Sequence, residues 1–142
     1  MTANLSLLRK INDLCLFVPD IEEAVEFYTE KMGFEIIRRQ PGYVQFDFQG
    51  TSLTMWQEDG VYRAVNKEYL GGEGNHFMIA IKVPTLEDVD NLHEELVSRG
   101  VECISEPETY PFGSRAVYFR DINKNIWEVF AWVEGDGPGL LK

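Results

Sequence analysis

The sequence predicts an α+β protein built from two βαβββ modules related by a pseudo-twofold axis. The main observation is a repeated phrase, because the run Leu16–Ala24 (LFVPDIEEA) is echoed by the run Ile81–Val89 (IKVPTLEDV). In each copy a helical stretch then leads to a glycine, Gly33 or Gly100, and to a strand-like run. Two copies of this length do not make a solenoid. They indicate paired half-domains, and we expect a ligand in the cleft between them.

The first module opens with a strand and a helix. The apolar run Ile11–Val18 predicts the strand, which Pro19 ends. Asp20 is a favourable N-cap for the helix that follows. Gly33 is expected just after the last helical residue, where the backbone turns left-handed. Apolar residues recur along one face of this helix, at Ile21, Ala24, Val25, Phe27, Tyr28 and Met32.

Three further strands complete the first module. The pairs Pro41-Gly42 and Gln49-Gly50 are turn signals that separate strand-like runs. Polar and apolar residues alternate in the middle run, as expected for a strand with one buried face. The predicted strands are Phe34–Arg39, Tyr43–Phe48 and Ser52–Gln57.

The second module repeats this order. Thr85 is an N-cap with Asp88 three residues later, which is a capping-box arrangement, and Gly100 ends the helix. The helix has an apolar stripe at Leu86, Val89, Leu92, Leu96 and Val97. Pro107–Gly113 is predicted as a loop, and Asp121–Asn125 as the turn of a final hairpin. The predicted strands are Phe77–Val83, Val101–Glu106, Ser114–Arg120 and Asn125–Val133.

The boundaries follow from these elements within one domain of 142 residues. The first module spans about residues 10–58 and the second about 76–134, with a Gly- and Pro-rich tail at 135–142. The linker at 59–75 is rich in glycine but contains Tyr62, Val65, Tyr69 and Leu70. Because it is too apolar for a free linker, we expect part of it to pack over the domain as a flap or a short helix.

Composition excludes several classes of partner. The formal net charge is −11, which disfavours nucleic acid and anionic membranes. The chain shows neither a secretory signal nor an uninterrupted apolar run of membrane-spanning length. We therefore expect a cytoplasmic protein. Cys15 and Cys103 lie in apolar runs and are predicted to be buried free thiols.

Several motifs resemble the vicinal-oxygen-chelate superfamily, which includes glyoxalase I, bleomycin-resistance proteins, fosfomycin-resistance enzymes and extradiol dioxygenases. The opening Ile11–Asp20 with Ala24–Tyr28 and Met32–Phe34, and the ending Pro111–Asp121 with Asn125–Phe130, are similar to its opening and closing signatures. The resemblance implies mixed sheets that curl around a shared cavity. It also implies small-molecule chemistry, with antibiotic resistance among the known roles.

The resemblance implies four metal-ligand positions, which fall on Asp13, Thr54, Met78 and Glu128. Threonine and methionine are poor ligands for the divalent ions that carboxylates and imidazoles hold. We therefore expect no metal cofactor. An alternative remains open, because His76 lies two residues before Met78 and thus on the same strand face. Asp13, His76 and Glu128 would then form a non-standard set for a divalent metal.

Strand alternation predicts an aromatic-rich cavity lining with a few carboxylates, which suits a flat or cationic organic ligand. Its predicted residues are Asp13, Cys15, Phe17, Ser52, Thr54, Trp56, His76, Met78, Arg115, Ile126, Glu128 and Phe130. Glu128 is a candidate catalytic residue. It is expected to have a polar partner, with Asp13 as a nearby like charge or Arg115 as a counter-ion. Arg115 and Arg120 are also candidates for surface ion pairs.

Three functional readings follow. The first is a metal-free protein similar to the bleomycin-resistance branch, which binds and sequesters a small aromatic or cationic molecule. The second is a divalent-metal-dependent lyase, isomerase or dioxygenase that uses the non-standard ligand set. The third is a regulatory or interaction module without a ligand.

A homodimer is the expected assembly. The resemblance implies it, and leucines at both ends of the chain need cover, since exposed apolar clusters usually mark an interface. These residues are Leu5, Leu7, Leu8, Leu140 and Leu141.

Overall fold

The computed structural model describes residues 5–7, 11–62, 77–111 and 113–135. The chain divides into two units, Met1–Leu70 and Gly71–Lys142. After a 3₁₀ turn at Leu5–Leu7, the first unit contains β1 (Asp13–Val18), α1 (Ile21–Glu26), β2 (Ile36–Gln40), β3 (Tyr43–Phe46), β4 (Ser52–Gln57) and α2 (Glu58–Val61). The second contains β5 (Met78–Lys82), α3 (Leu86–Ser98), β6 (Glu102–Cys103), β7 (Glu108–Thr109), β8 (Ser114–Arg120) and β9 (Ile126–Trp132).

The first unit is a four-stranded mixed sheet with α1 packed on one face. The strand order is β1-β4-β3-β2, with β1 parallel to β4 and the other neighbours antiparallel. Burying apolar side chains between α1 and this face stabilises the unit. The buried residues are Leu16, Val18, Ile21, Ala24, Val25, Phe27, Tyr28, Val44, Phe46, Leu53 and Met55.

The predicted start and end of the first helix are confirmed. The Asp20 carboxylate accepts hydrogen bonds from the backbone N–H groups of Glu22 (3.0 Å) and Glu23 (3.2 Å). Gly33 follows the helix with φ +72°. The helix nevertheless changes to a π-helical turn at Phe27–Lys31. Within this turn the Thr29 hydroxyl donates to the Val25 carbonyl at 2.7 Å, a side-chain bond that competes with the helical pattern.

The second unit repeats the topology. Its strand order is β5-β9-β8-β6, with β5 parallel to β9, and β7 pairs with β8. Helix α3 packs on one face and begins at the predicted capping box, where Thr85 and Asp88 exchange hydrogen bonds of 3.0 and 3.1 Å. The buried apolar residues of this unit are Val89, Leu96, Val101, Ala116, Val117, Phe119, Trp127, Val129 and Ala131. The predicted α+β class with two βαβββ modules is confirmed.

The segment after α3 differs from the prediction. A strand was expected over Val101–Glu106, but the ladder there covers only β6, and β7 lies inside the expected loop. Pro107 separates the two short strands, and proline cannot donate a hydrogen bond to a ladder. The linker prediction at 59–75 falls largely outside the described residues, although α2 overlaps its start. No helix in the described ranges is long and apolar enough to cross a membrane.

Candidate functional site

The face of the second sheet that α3 does not cover has Glu128 at its centre. Register places Ala80 of β5 and Tyr118 of β8 on either side of Glu128, so the three residues form one row across the sheet. Neighbouring strands lie about 4.8 Å apart, so side chains in such a row are in contact range. The neighbour of Glu128 on β5 is Ala80, which is exposed and whose side chain is only a methyl group.

Tyr118 holds the Glu128 carboxylate. Its hydroxyl donates to Glu128 Oε2 at 2.7 Å, and both side chains are partly buried. Desolvation, the hydrogen bond to Glu128 and the charge of Glu128 all raise the pKa of Tyr118 above its usual value. Tyr118 is therefore protonated at neutral pH and acts as a donor. The expectation of a polar partner for Glu128 is confirmed.

Further aromatic rings lie on the same face of the sheet. The Tyr110 ring lies edge-to-face with the Tyr118 ring, with centroids 6.5 Å apart. Desolvation raises the pKa of Tyr110, and Glu108 and Glu128 raise it further. On β9, the rings of Phe130 and Trp132 meet edge-to-face at 5.2 Å. The open face therefore combines a carboxylate, two protonated phenols and apolar rings.

Arg115 is not the partner of Glu128, and that expectation is wrong. Arg115 pairs with Ala131 in the ladder, so its side chain leaves the sheet on the α3 side. Its Nε and Nη2 atoms donate to Asp90 Oδ1 at 3.0 and 2.7 Å, and its Nη1 donates to Thr109 Oγ1 at 3.0 Å. Arg115 thus ties α3 to β7, the strand immediately before Tyr110.

Arg120 and the β6 edge form a second polar region. Arg120 donates to Glu102 at 3.3 Å, and Lys124 donates to the same carboxylate at 3.1 Å. The ion-pair role considered for Arg120 is confirmed. An open depression of about 580 Å³ lies beside these groups. It is lined by Glu102, Cys103, Ile104, Arg120 and Ile126.

The first sheet places the other candidates on the face opposite α1. Cys15 lies beside Thr54, and Phe17 lies beside Trp56, as the predicted alternation requires. Phe17 and Asp13 are exposed, whereas Thr54 is only 4% exposed. The pKa of the Cys15 thiol is raised, mainly because the thiol is partly buried. The hydrogen bond with Thr54 lowers this pKa and the charge of Asp13 raises it. The thiol is therefore a weak nucleophile.

The profile of the Glyoxalase/Bleomycin resistance protein/Dioxygenase superfamily matches residues 10–129. The chain belongs to this superfamily. It is 35% identical to a solved glyoxalase/bleomycin resistance protein/dioxygenase from Nocardioides, with a TM-score of 0.80 and coverage of 94% of this chain and 90% of the other. A second solved structure, a family enzyme from Burkholderia phytofirmans PsJN, shares the fold at 19% identity, with a TM-score of 0.79 and coverage of 87% and 99%.

A sequence relative of this superfamily member is the uncharacterized protein YraH of Bacillus subtilis (strain 168). The two are 28% identical over 127 residues, which covers 85% of this chain and 97% of YraH. The match therefore covers most of this chain and nearly all of YraH.

The residues at the ligand positions that the resemblance implies do not fit a divalent ion. Thr54 offers a neutral hydroxyl beside Cys15, and Met78 offers an exposed thioether. In the described ranges no three His, Cys, Asp or Glu side chains cluster as a metal site would require. His76, the imidazole of the alternative set, lies outside the described residues. No chemical step through a metal follows from these donors.

Proposed function

We propose that this superfamily member binds a small aromatic or cationic organic molecule without a metal ion and sequesters it, as the bleomycin-resistance reading predicts. The observation that carries the proposal is the row Ala80, Glu128 and Tyr118 on the uncovered face of the second sheet. A carboxylate with one oxygen held by a phenol and open space on its other side is suited to binding. That the ligand lies in the cleft between the modules stays a prediction from the repeat.

The surrounding side chains support an organic ligand. Small-molecule sites are mostly apolar and contain a few fixed polar groups that set orientation. Glu128 supplies the polar group here; Tyr110 packs against Tyr118, and Phe130 and Trp132 extend the flat apolar area along the same face of β9. The donor chemistry of Thr54 and Met78 supports binding without a metal.

The test combines a ligand screen with elemental analysis. Purified protein is screened by thermal shift against aromatic compounds with and without a positive charge, and positive compounds are titrated by calorimetry. We expect saturable binding at one site per chain, with affinity unchanged after dialysis against a chelator. Stoichiometric zinc, nickel or manganese, together with ligand binding that needs the metal, would contradict the proposal.

The second candidate function is a metal-dependent lyase, isomerase or dioxygenase. It is favoured by Asp13 and Glu128, because each carboxylate lies on the sheet face opposite the helix of its module, at a position where the resemblance implies a metal ligand. Substitution of Asp13, His76 or Glu128 should then reduce metal content. If metal content is zero in the unsubstituted protein after growth with each metal, this candidate is excluded.

A further inference from the structure

We propose that Glu128, Tyr118 and the space over Ala80 form a subsite for a protonated amine, so that the ligand is an organic compound with an ammonium group carrying at least one N–H. The inference rests on the proposed function and narrows the class of ligand. It concerns a single row of the second sheet.

The geometry leaves one side of the carboxylate open. Glu128 Oε2 accepts the Tyr118 hydroxyl at 2.7 Å, and Ala80 occupies the adjacent position toward β5. Since Ala80 is exposed and ends at its Cβ atom, a group as small as an ammonium can approach Glu128 from this direction. Glu128 forms no ion pair with any residue in the described part of the chain.

The acceptor chemistry favours an N–H donor over other cations. Glu128 Oε1 and the lone pairs of the Tyr118 hydroxyl oxygen are acceptors, and hydrogen bonds from a charged donor to a carboxylate are stronger than neutral ones. A quaternary ammonium has no N–H group and would use only the rings of Tyr118 and Tyr110. A divalent ion needs several oxygen ligands, whereas this row contains one carboxylate.

Lys82 supplies an internal check on the charge preference. It follows Ala80 by two residues, so its side chain leaves β5 from the same face, opposite Phe130. A cation bound over Ala80 is repelled by this ammonium. Lys82→Met should therefore increase affinity for a cationic ligand and leave affinity for a neutral one unchanged.

The experiment uses three probes that differ only at one end: 2-phenylethylammonium, 2-phenylethanol and the trimethylated ammonium. In calorimetric titrations of the full chain, we expect the primary ammonium to bind about tenfold or more tightly than either analogue, a difference of one charged hydrogen-bonded contact. Glu128→Gln should lower the affinity for the ammonium about tenfold or more and change the affinity for the alcohol little. Tyr118→Phe should lower the affinity for the ammonium by roughly twofold to tenfold.

Two further variants complete the design. Ala80→Leu fills the space over position 80 and should abolish binding of the ammonium. Ala80→Ser leaves that space open and should retain binding, which shows that a change of residue at this position is not itself the cause of the loss. Glu94→Gln is the matched control, because it removes the same charge from an exposed position on α3. It should leave all three affinities unchanged.

The outcomes separate this inference from the proposed function. Equal binding of the alcohol and the ammonium, tighter binding of the trimethylated probe, or equal effects of Glu128→Gln and Glu94→Gln would overturn the amine subsite while organic-ligand binding stands. Failure of every probe in a wide aromatic screen, with binding of a metal instead, would overturn both.

Discussion

Tyr118 shows how one neighbour sets the chemistry of a side chain. Burial and the adjacent Glu128 raise the pKa of its phenol, so the neutral form is favoured in the folded protein. The contribution of this pKa shift to the free energy of unfolding is fully present below the unfolded-state pKa of about 10. It is lost as the pH rises through the higher folded-state value.

An alkaline spectrophotometric titration tests this reasoning at the tyrosinate absorption band. Of the six tyrosines, Tyr118 should ionise at a pH well above 10, so Tyr118→Phe removes a late step. Glu128→Gln should move the same step to lower pH, because it removes the negative charge that opposes ionisation. An unchanged late step in both variants would contradict the assignment.

Gly60 controls the position of Trp56. A Cβ atom built at Gly60 would lie 2.6 Å from Trp56 Nε1 and 3.3 Å from Cδ1. Gly60→Ala should therefore displace the indole from its place on the first sheet, on the face opposite α1, and shift the tryptophan fluorescence. The same substitution in a Trp56→Phe background should leave the emission unchanged. A shift of equal size in both backgrounds would show that another tryptophan responds.

The residues missed by sequence reasoning fall into two kinds. Tyr118 could have been predicted, because the predicted turn at Asp121–Asn125 pairs Arg120 with Ile126 and hence Tyr118 with Glu128. The same parity places Arg115 on the opposite face, which the counter-ion prediction overlooked. Tyr110 could not have been predicted, since its position depends on the tertiary pairing of a two-residue strand.

At the scale of elements, local signals were sufficient where they were strong. Caps and periodicity identified both helices and the longer strands, because those elements are specified by neighbours in sequence. The π-helical turn in the first unit and the split of β6 from β7 were not predicted. The π-helical turn depends on competition between side-chain and backbone hydrogen bonds, and the split follows from Pro107, which cannot donate to a ladder; an apolar pattern encodes neither.

The capping box of α3 gives a quantitative test. Thr85→Ala removes the hydroxyl that accepts from Asp88 N, and we expect a loss of about 1 kcal/mol in the free energy of unfolding. Thr85→Ser retains the oxygen and should lose much less. Urea denaturation with a common slope measures both. Equal destabilisation by alanine and serine would indicate that the methyl group, not the cap, matters.

At the scale of the whole molecule, we propose a homodimer. The terminal leucines that suggest it lie mostly outside the described residues, but Leu5 is 74% exposed. Sedimentation equilibrium at micromolar concentration should give twice the chain mass of 16.3 kDa, with on the order of 1,200 Å² or more buried in total. A single species at the monomer mass would contradict the proposal.

The parallel pairing of the first and last strands of each module has a kinetic consequence. Asp13 pairs with Ser52, and Met78 pairs with Ile126, so each parallel ladder closes a long loop. The β8–β9 hairpin closes a short one, and local contacts form earlier because less chain entropy is lost. In pulse-labelling hydrogen exchange during refolding, amides of β8 and β9 should be protected before those of β5. Ala80 would then join a Glu128–Tyr118 pair that has already formed, making the open side of the carboxylate the last part of this face to assemble.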